Sequence, residues 1–189
     1  MFLRPSGALG SGSRPARDPS GAVEVNQLPF RQGVRLAVDV GSVRIGVARS
    51  DPGGVLATPL TVLAAGPDAR AALARLVAGE GAVEVIVGLP TSLSGREGAA
   101  AAKARGFAAE LAGQLAPVPV RLVDERFTTT EAHGALRRGG KDSRARRQVV
   151  DAAAAAVLLQ AALDAERATG RPPGQLVGAG NNAGHGATA

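Results

Sequence analysis

From Arg35 to Val40 the chain alternates, with Leu36, Val38 and Val40 set against Arg35, Ala37 and Asp39, the period of a half-buried strand. Gly41 and Ser42 make a tight turn, and Val43 to Arg49 reads as a second strand, antiparallel to the first. Val55 to Leu63 carries a third strand, interrupted near Pro59. Asp68 to Ala78 is helical, with Ala69, Ala72 and Leu76 close to one face. Val83 to Gly88 is a short apolar run that suits a central strand. Gly88 to Gly95 is a Gly/Pro/Ser loop. Glu97 to Leu115 is a long Ala-rich helix, and Val118 to Val123 is the next strand. Thr128 to Arg138 reads as a short helix capped by Thr128, with Glu131 three residues on. Arg144 to Ala168 is the last helix, with Ser143 as its N-cap. Three meandering strands followed by alternating helices and strands predict an α/β domain, a mixed five-stranded sheet flanked by helices. That domain spans residues 33–170. Residues 1–32, rich in Gly, Pro, Ser and Arg, read as a flexible arm, and residues 171–189 as a disordered tail.

Composition narrows the chemistry. Of the 189 residues 45% are hydrophobic but only 2% aromatic, so the core must be built from Val, Leu and Ala. Four Phe and no Tyr or Trp cannot make a platform for stacking many bases. The absence of Cys excludes disulfides and thiolate metal sites and fits a reducing compartment. His133 and His185 are the two histidines, too few for a His-rich zinc site. The net charge of +6, nearly all from Arg, favours a polyanionic partner, although Arg and Ala usage also fits a GC-rich genome. No apolar run approaches the ~20 residues that span a bilayer. The first residues, Met1-Phe2-Leu3-Arg4-Pro5, lack a signal-peptide apolar stretch. The expected location is cytoplasmic, with no membrane partner.

Three acids stand out by position. Asp39 lies in an apolar strand, where Asp is disfavoured, and Gly41 two residues on permits close backbone approach. Glu125 follows a strand end, where ligands gather in open sheets. Asp151 sits among Val149, Val150 and a run of alanines, where an unpaired carboxylate is costly. If the three meet, they repel one another unless a divalent cation joins them, and oxygen donors suit Mg²⁺ or Mn²⁺. Two such ions can activate water and stabilise the leaving oxygen in phosphodiester cleavage. Each acid also has a plain structural reading. Asp39 could begin a turn, Glu125 could pair with Arg126 or Arg121, and Asp151 could be a first-turn helix acid.

From Arg137 to Arg147 six of eleven residues are basic: Arg137, Arg138, Lys141, Arg144, Arg146 and Arg147. Cations at a helix start oppose its dipole, so folding alone does not favour them there, whereas phosphate contact would. The alternative is a solvated charged loop.

Four blocks, in order, resemble a known family. They are Val38-Asp39-Val40-Gly41-Ser42-Val43-Arg44-Ile45-Gly46-Val47-Ala48, then Val85-Ile86-Val87-Gly88-Leu89-Pro90, then Asp124-Glu125-Arg126-Phe127-Thr128-Thr129, then Val149-Val150-Asp151-Ala152-Ala153-Ala154-Ala155. The chain resembles the YqgF family, also called RuvX, the Holliday-junction-resolvase-like proteins associated with pre-16S ribosomal RNA processing. The first block alone is weak, since D-x-G-[ST] also opens actin-like ATPases, but 33–170 leaves no room for the second subdomain those proteins need. The resemblance implies a ribonuclease-H-like fold and a metal-dependent nuclease acting in 5′-end maturation of pre-16S rRNA. It assigns Asp39, Glu125 and Asp151 as catalytic, metal-holding residues. It implies structured RNA or branched DNA as partner and leaves a homodimer open. Arg44, Arg126 and the basic run are expected on nucleic acid. Thr128 is chiefly a helix cap, and Gly88 to Gly95 would supply main-chain donors. The other readings are a branched-DNA resolvase and a non-catalytic ribosome-assembly factor. Two features depart from pattern. Gly88-Leu89-Pro90 stands where many ribonuclease-H-like enzymes carry an acid, and Gln148 stands where the family often has Lys, leaving Arg147 to substitute.

Overall fold

A computed structural model describes residues 30–90, 98–125 and 144–178. The strands are β1 (Arg35–Val40), β2 (Arg44–Ser50), β3 (Ala57–Ala64), β4 (Glu84–Leu89), β5 (Val120–Asp124) and β6 (Gln175–Leu176). The helices are α1 (Ala69–Gly79), α2 (Ala99–Leu115) and α3 (Arg144–Thr169). The sheet runs β3-β2-β1-β4-β5-β6. Strands β1 to β3 form an antiparallel meander, β4 and β5 run parallel with β1, and β6 closes antiparallel on β5. This is the expected mixed sheet flanked by helices, with six strands rather than five. The sixth comes from the stretch read as tail, where Gln175 and Leu176 pair with Leu122 and Arg121.

Period-2 alternation sorts the sheet into two faces. Leu36, Val38, Ile45, Val47, Val85 and Val87 pack with buried positions of α1 and α2. Ala37, Ala48, Ile86 and Val123 pack under Ala155, Leu158, Leu159, Ala162 and Leu163 of α3. Small residues on the second face let α3 lie close to the sheet. Helix α1 buries Ala69, Leu73 and Val77, a stripe spaced by four, rather than the expected Ala69, Ala72 and Leu76. Strand β3 continues through Pro59, which an edge strand tolerates, with a register shift opposite at Val47/Ala48. The expected helix over Thr128–Arg138 and the Ser143 cap lie outside the described residues, as does most of the Gly88–Gly95 loop. No described helix is long and apolar enough to cross a membrane.

The start of β1 holds an ionic cluster that the alternation did not foresee. Arg35 and Glu84 are fully buried and Glu166 nearly so. Arg31, assigned above to the arm, donates two hydrogen bonds to Glu84 and two to Glu166. Arg121 bonds Glu84 at 2.8 Å, so its partner is Glu84 rather than Glu125. The Phe30 ring lies beneath the guanidinium groups of Arg35 and Arg167, at 4.7 and 4.9 Å. The packed unit therefore includes Phe30 and Arg31. Burial lowers the Arg35 pKa, while the Glu166 hydrogen bond drives that of Arg31 up. Burial alone would raise Glu166, but the Arg31 hydrogen bonds and the charges of Arg35 and Arg31 hold it below the usual carboxylate range. Asp51 is also lowered, chiefly by the Leu56 backbone N–H, with those of Val55 and Gly53 adding to it.

Both carboxyls have depressed folded-state values. Their contribution to stability is complete above the unfolded value of about 4 and is lost as pH falls through the folded values. The melting temperature is expected to be level from pH 7 to about 5 and to drop below about 4. A melting temperature unchanged down to pH 3 would contradict this.

Candidate active site

Asp39 is the penultimate residue of β1 and shares the α3 face with Ala37. Across the ladder it stands opposite Gly46 of β2. At Gly46 α3 lies tight against the sheet: a Cβ built there would lie 2.0 Å from the Asp151 carbonyl oxygen. A glycine inside a strand is the signal for such an approach. It brings the backbone of Asp151 directly over the rung that carries Asp39. Gly46→Ala is expected to cost about 3 kcal/mol, because backbone rather than a flexible side chain must give way. Urea unfolding checks this, and a loss below about 1 kcal/mol would show that α3 shifts freely.

Glu125 follows directly on β5. Its carboxylate lies against Gly88 of β4, where a Cβ would sit 2.9 Å from Glu125 Oε1 and 3.1 Å from Leu158. That accounts for the missing acid at the end of β4. The space a side chain would take at position 88 is occupied by Glu125.

Asp39, Glu125 and Asp151 line one cleft of about 380 Å³, together with Gly41, Ser42, Arg44 and Pro90. All three acids are partly buried. The Nε of Arg44, the first residue of β2, donates to Asp151 Oδ2 at 2.5 Å. Arg44 was expected on nucleic acid; it lines the cleft but is paired with an acid. Lys103 of α2 was not singled out in the sequence. Its Nζ donates to the Gly41 carbonyl at 3.0 Å, which sets a second cation at the rim. Only the pairing of α2 with the β1 end reveals it, since Lys103 lies on the solvent side of an Ala-rich helix.

The expected gathering of the three acids within one ion's reach is not attained. Among the described residues no three His, Cys, Asp or Glu side chains are placed to hold a metal ion together. Asp151 is drawn to Arg44 instead. The donor chemistry still fits a hard divalent cation, because three carboxylates share one cleft. His133 and His185 lie outside the described residues. Arg126, Arg137, Arg138, Lys141 and Thr128 also lie outside them. Arg144, Arg146 and Arg147 fall in the opening turns of α3, two turns or fewer before Asp151.

Residues 33–165 match the family model RuvX, described as Holliday junction resolvase. A relative from Nocardioides sp., named as a candidate pre-16S rRNA nuclease, is 57% identical over 153 residues, covering 78% of this chain and 98% of its own. One from Thermobifida fusca with the same name is 59% identical over 155 residues, with the same coverage. Among solved structures, RuvC of T. thermophilus in complex with a Holliday junction substrate aligns at a TM-score of 0.49 and 20% identity, over 74% of this chain and 99% of that one.

Proposed function

The chain belongs to the RuvX family, and from that premise we propose that it is a metal-dependent nuclease acting in the cytoplasm on structured RNA, in 5′-end maturation of pre-16S rRNA. One observation carries the reading: carboxylates from the end of β1, the end of β5 and the early part of α3 open into a single cleft. Asp39, Glu125 and Asp151 would hold Mg²⁺ or Mn²⁺, which supplies Lewis acidity and an activated water for phosphodiester hydrolysis. The chain's own residues supply position and charge. Gly41 and Ser42 bring bare backbone to the cleft wall, so a sugar-phosphate strand can come close. Arg44 lines the cleft and Lys103 reaches Gly41 beside it, and both cations would offset phosphate charge. Names borne by the relatives favour pre-16S rRNA. The description of the family favours branched DNA as the second reading.

Purified protein incubated in Mg²⁺ with precursor rRNA and with a four-way DNA junction tests the proposal. Cleavage of the RNA is expected. Cleavage of the junction alone would move the substrate to DNA, and cleavage of neither would leave a binding factor.

The basic run is the proposed phosphate track into the cleft. Exchanging Arg144, Arg146 and Arg147 for Glu is expected to weaken RNA binding and to flatten the salt dependence by roughly 0.7–0.9 for every phosphate no longer neutralised. Binding measured over a series of salt concentrations reads the slope, and an unchanged slope would remove these residues from the interface.

A further inference from the structure

Resting on the metal-dependent reading above, we propose that Arg44 is an exchangeable internal counterion. It holds Asp151 while the cleft lacks a divalent ion and passes to a substrate phosphate when one binds. Alternation along β2 puts Arg44 on the same face as Gly46, opposite to Ile45 and Val47 of the α1–α2 core. The contact of Gly46 with the Asp151 backbone fixes how close α3 can come. Arg44 and Asp151 are thus held within reach by the scaffold.

Their side chains are 29% and 31% exposed, at the wall of the cleft and open to solvent. A pair this exposed is weak and readily exchanged. The bond to Asp151 uses Nε, one of the five donors of a guanidinium whose planar fork matches phosphate. Charge sets the direction of exchange. Three carboxylates share the cleft, and the Arg44 guanidinium contributes one positive charge toward them. A divalent ion contributes two and competes for the same Asp151 oxygens. Among the described residues no three acids are placed to share an ion, and Asp151 is turned to Arg44. Metal uptake would therefore release Arg44 into a cleft that phosphate must enter. Metal and nucleic acid would bind with positive, reciprocal coupling.

The test is a Mg²⁺ titration of the full chain without nucleic acid, followed by ¹⁵N NMR. The Arg44 Nε–H resonance is assigned by its loss in Arg44→Gln. It is expected to shift and to exchange faster with water, with the same midpoint as the backbone amides of Gly41 and Asp151. Arg44→Gln is expected to bind Mg²⁺ about 3- to 10-fold more tightly, and Arg44→Lys to fall between it and the wild type. In an Asp151→Asn background the effect of Arg44→Gln should vanish. Its persistence at full size would mark a through-space charge effect and overturn the exchange. Cleft amides that saturate while the Arg44 resonance stays fixed would overturn this inference and leave the nuclease reading standing. No response of any cleft amide to Mg²⁺ would overturn both.

Discussion

Asp39→Asn is expected to lower the cleavage rate on the order of 10³-fold while leaving the melting temperature nearly unchanged, a loss of ~4 kcal/mol in transition-state stabilisation. The substitution keeps shape and removes one charge. Asp39 is partly exposed at the end of β1, and the core beneath it is set by Leu36, Ala37 and Val38, so removing its charge while keeping its shape is expected to leave the packing in place. The cleft does depend on it, because the proposed ion needs anionic oxygen from β1 as well as from α3. Single-turnover rates at saturating protein, with nucleic-acid affinity measured in parallel, separate the two effects. A variant that binds as the wild type does and cuts within tenfold of its rate would place the chemistry elsewhere.

Glu84→Gln is expected to do the reverse, harming stability far more than it perturbs the cleft. Glu84 is fully buried and accepts two bonds from Arg31 at 2.9 Å and one from Arg121 at 2.8 Å, with Arg35 Nε at 3.5 Å. Nε and Nη1 of Arg35 already make no hydrogen bond within the described residues. Neutralising Glu84 leaves Arg31 and Arg35 to share the charge of Glu166 and takes from Arg121 the carboxylate it bonds. Breaking a buried ionic group in this way costs about 3–5 kcal/mol. Glu80→Gln is the comparison. Its partner Arg49 is half exposed, and the loss there is expected to stay under about 1 kcal/mol. Chemical denaturation of both variants reads the difference, and equal losses would contradict the account of the cluster.

Much of this arrangement is legible along the chain because local pattern and tertiary demand agree. The alternation of β1 names its two faces, and Asp39 is conspicuous because it breaks an apolar strand just before a glycine turn. The Ala-rich last helix announces close packing, which Gly46 then makes specific. What escapes is what depends on distant partners. Arg35 looks like a solvent-facing residue in its own strand. It is buried because Glu84 on the neighbouring strand, Glu166 and the Phe30 ring, none of them in its own strand, enclose it. Strand β6 is two residues long and has no period to detect; it exists because β5 would otherwise be an open edge. The stripe of α1 shifted because several Ala and Leu positions offer near-equivalent faces, and the sheet selects Leu73 and Val77. In the cleft, residue types pointed to the three acids. The hold of Arg44 on Asp151 and the reach of Lys103 to Gly41 are contacts between elements, which no spacing encodes.

On the proposed function, acids drawn from three elements serve a divalent cation in hydrolysis. The most direct test is cleavage of precursor rRNA by one preparation in three states: as purified with Mg²⁺, after chelation, and after Mg²⁺ is restored. Cleavage, none, and cleavage again are expected, with Asp39→Asn silent throughout. Cutting that survives chelation, or that Asp39→Asn retains in full, would contradict that proposal.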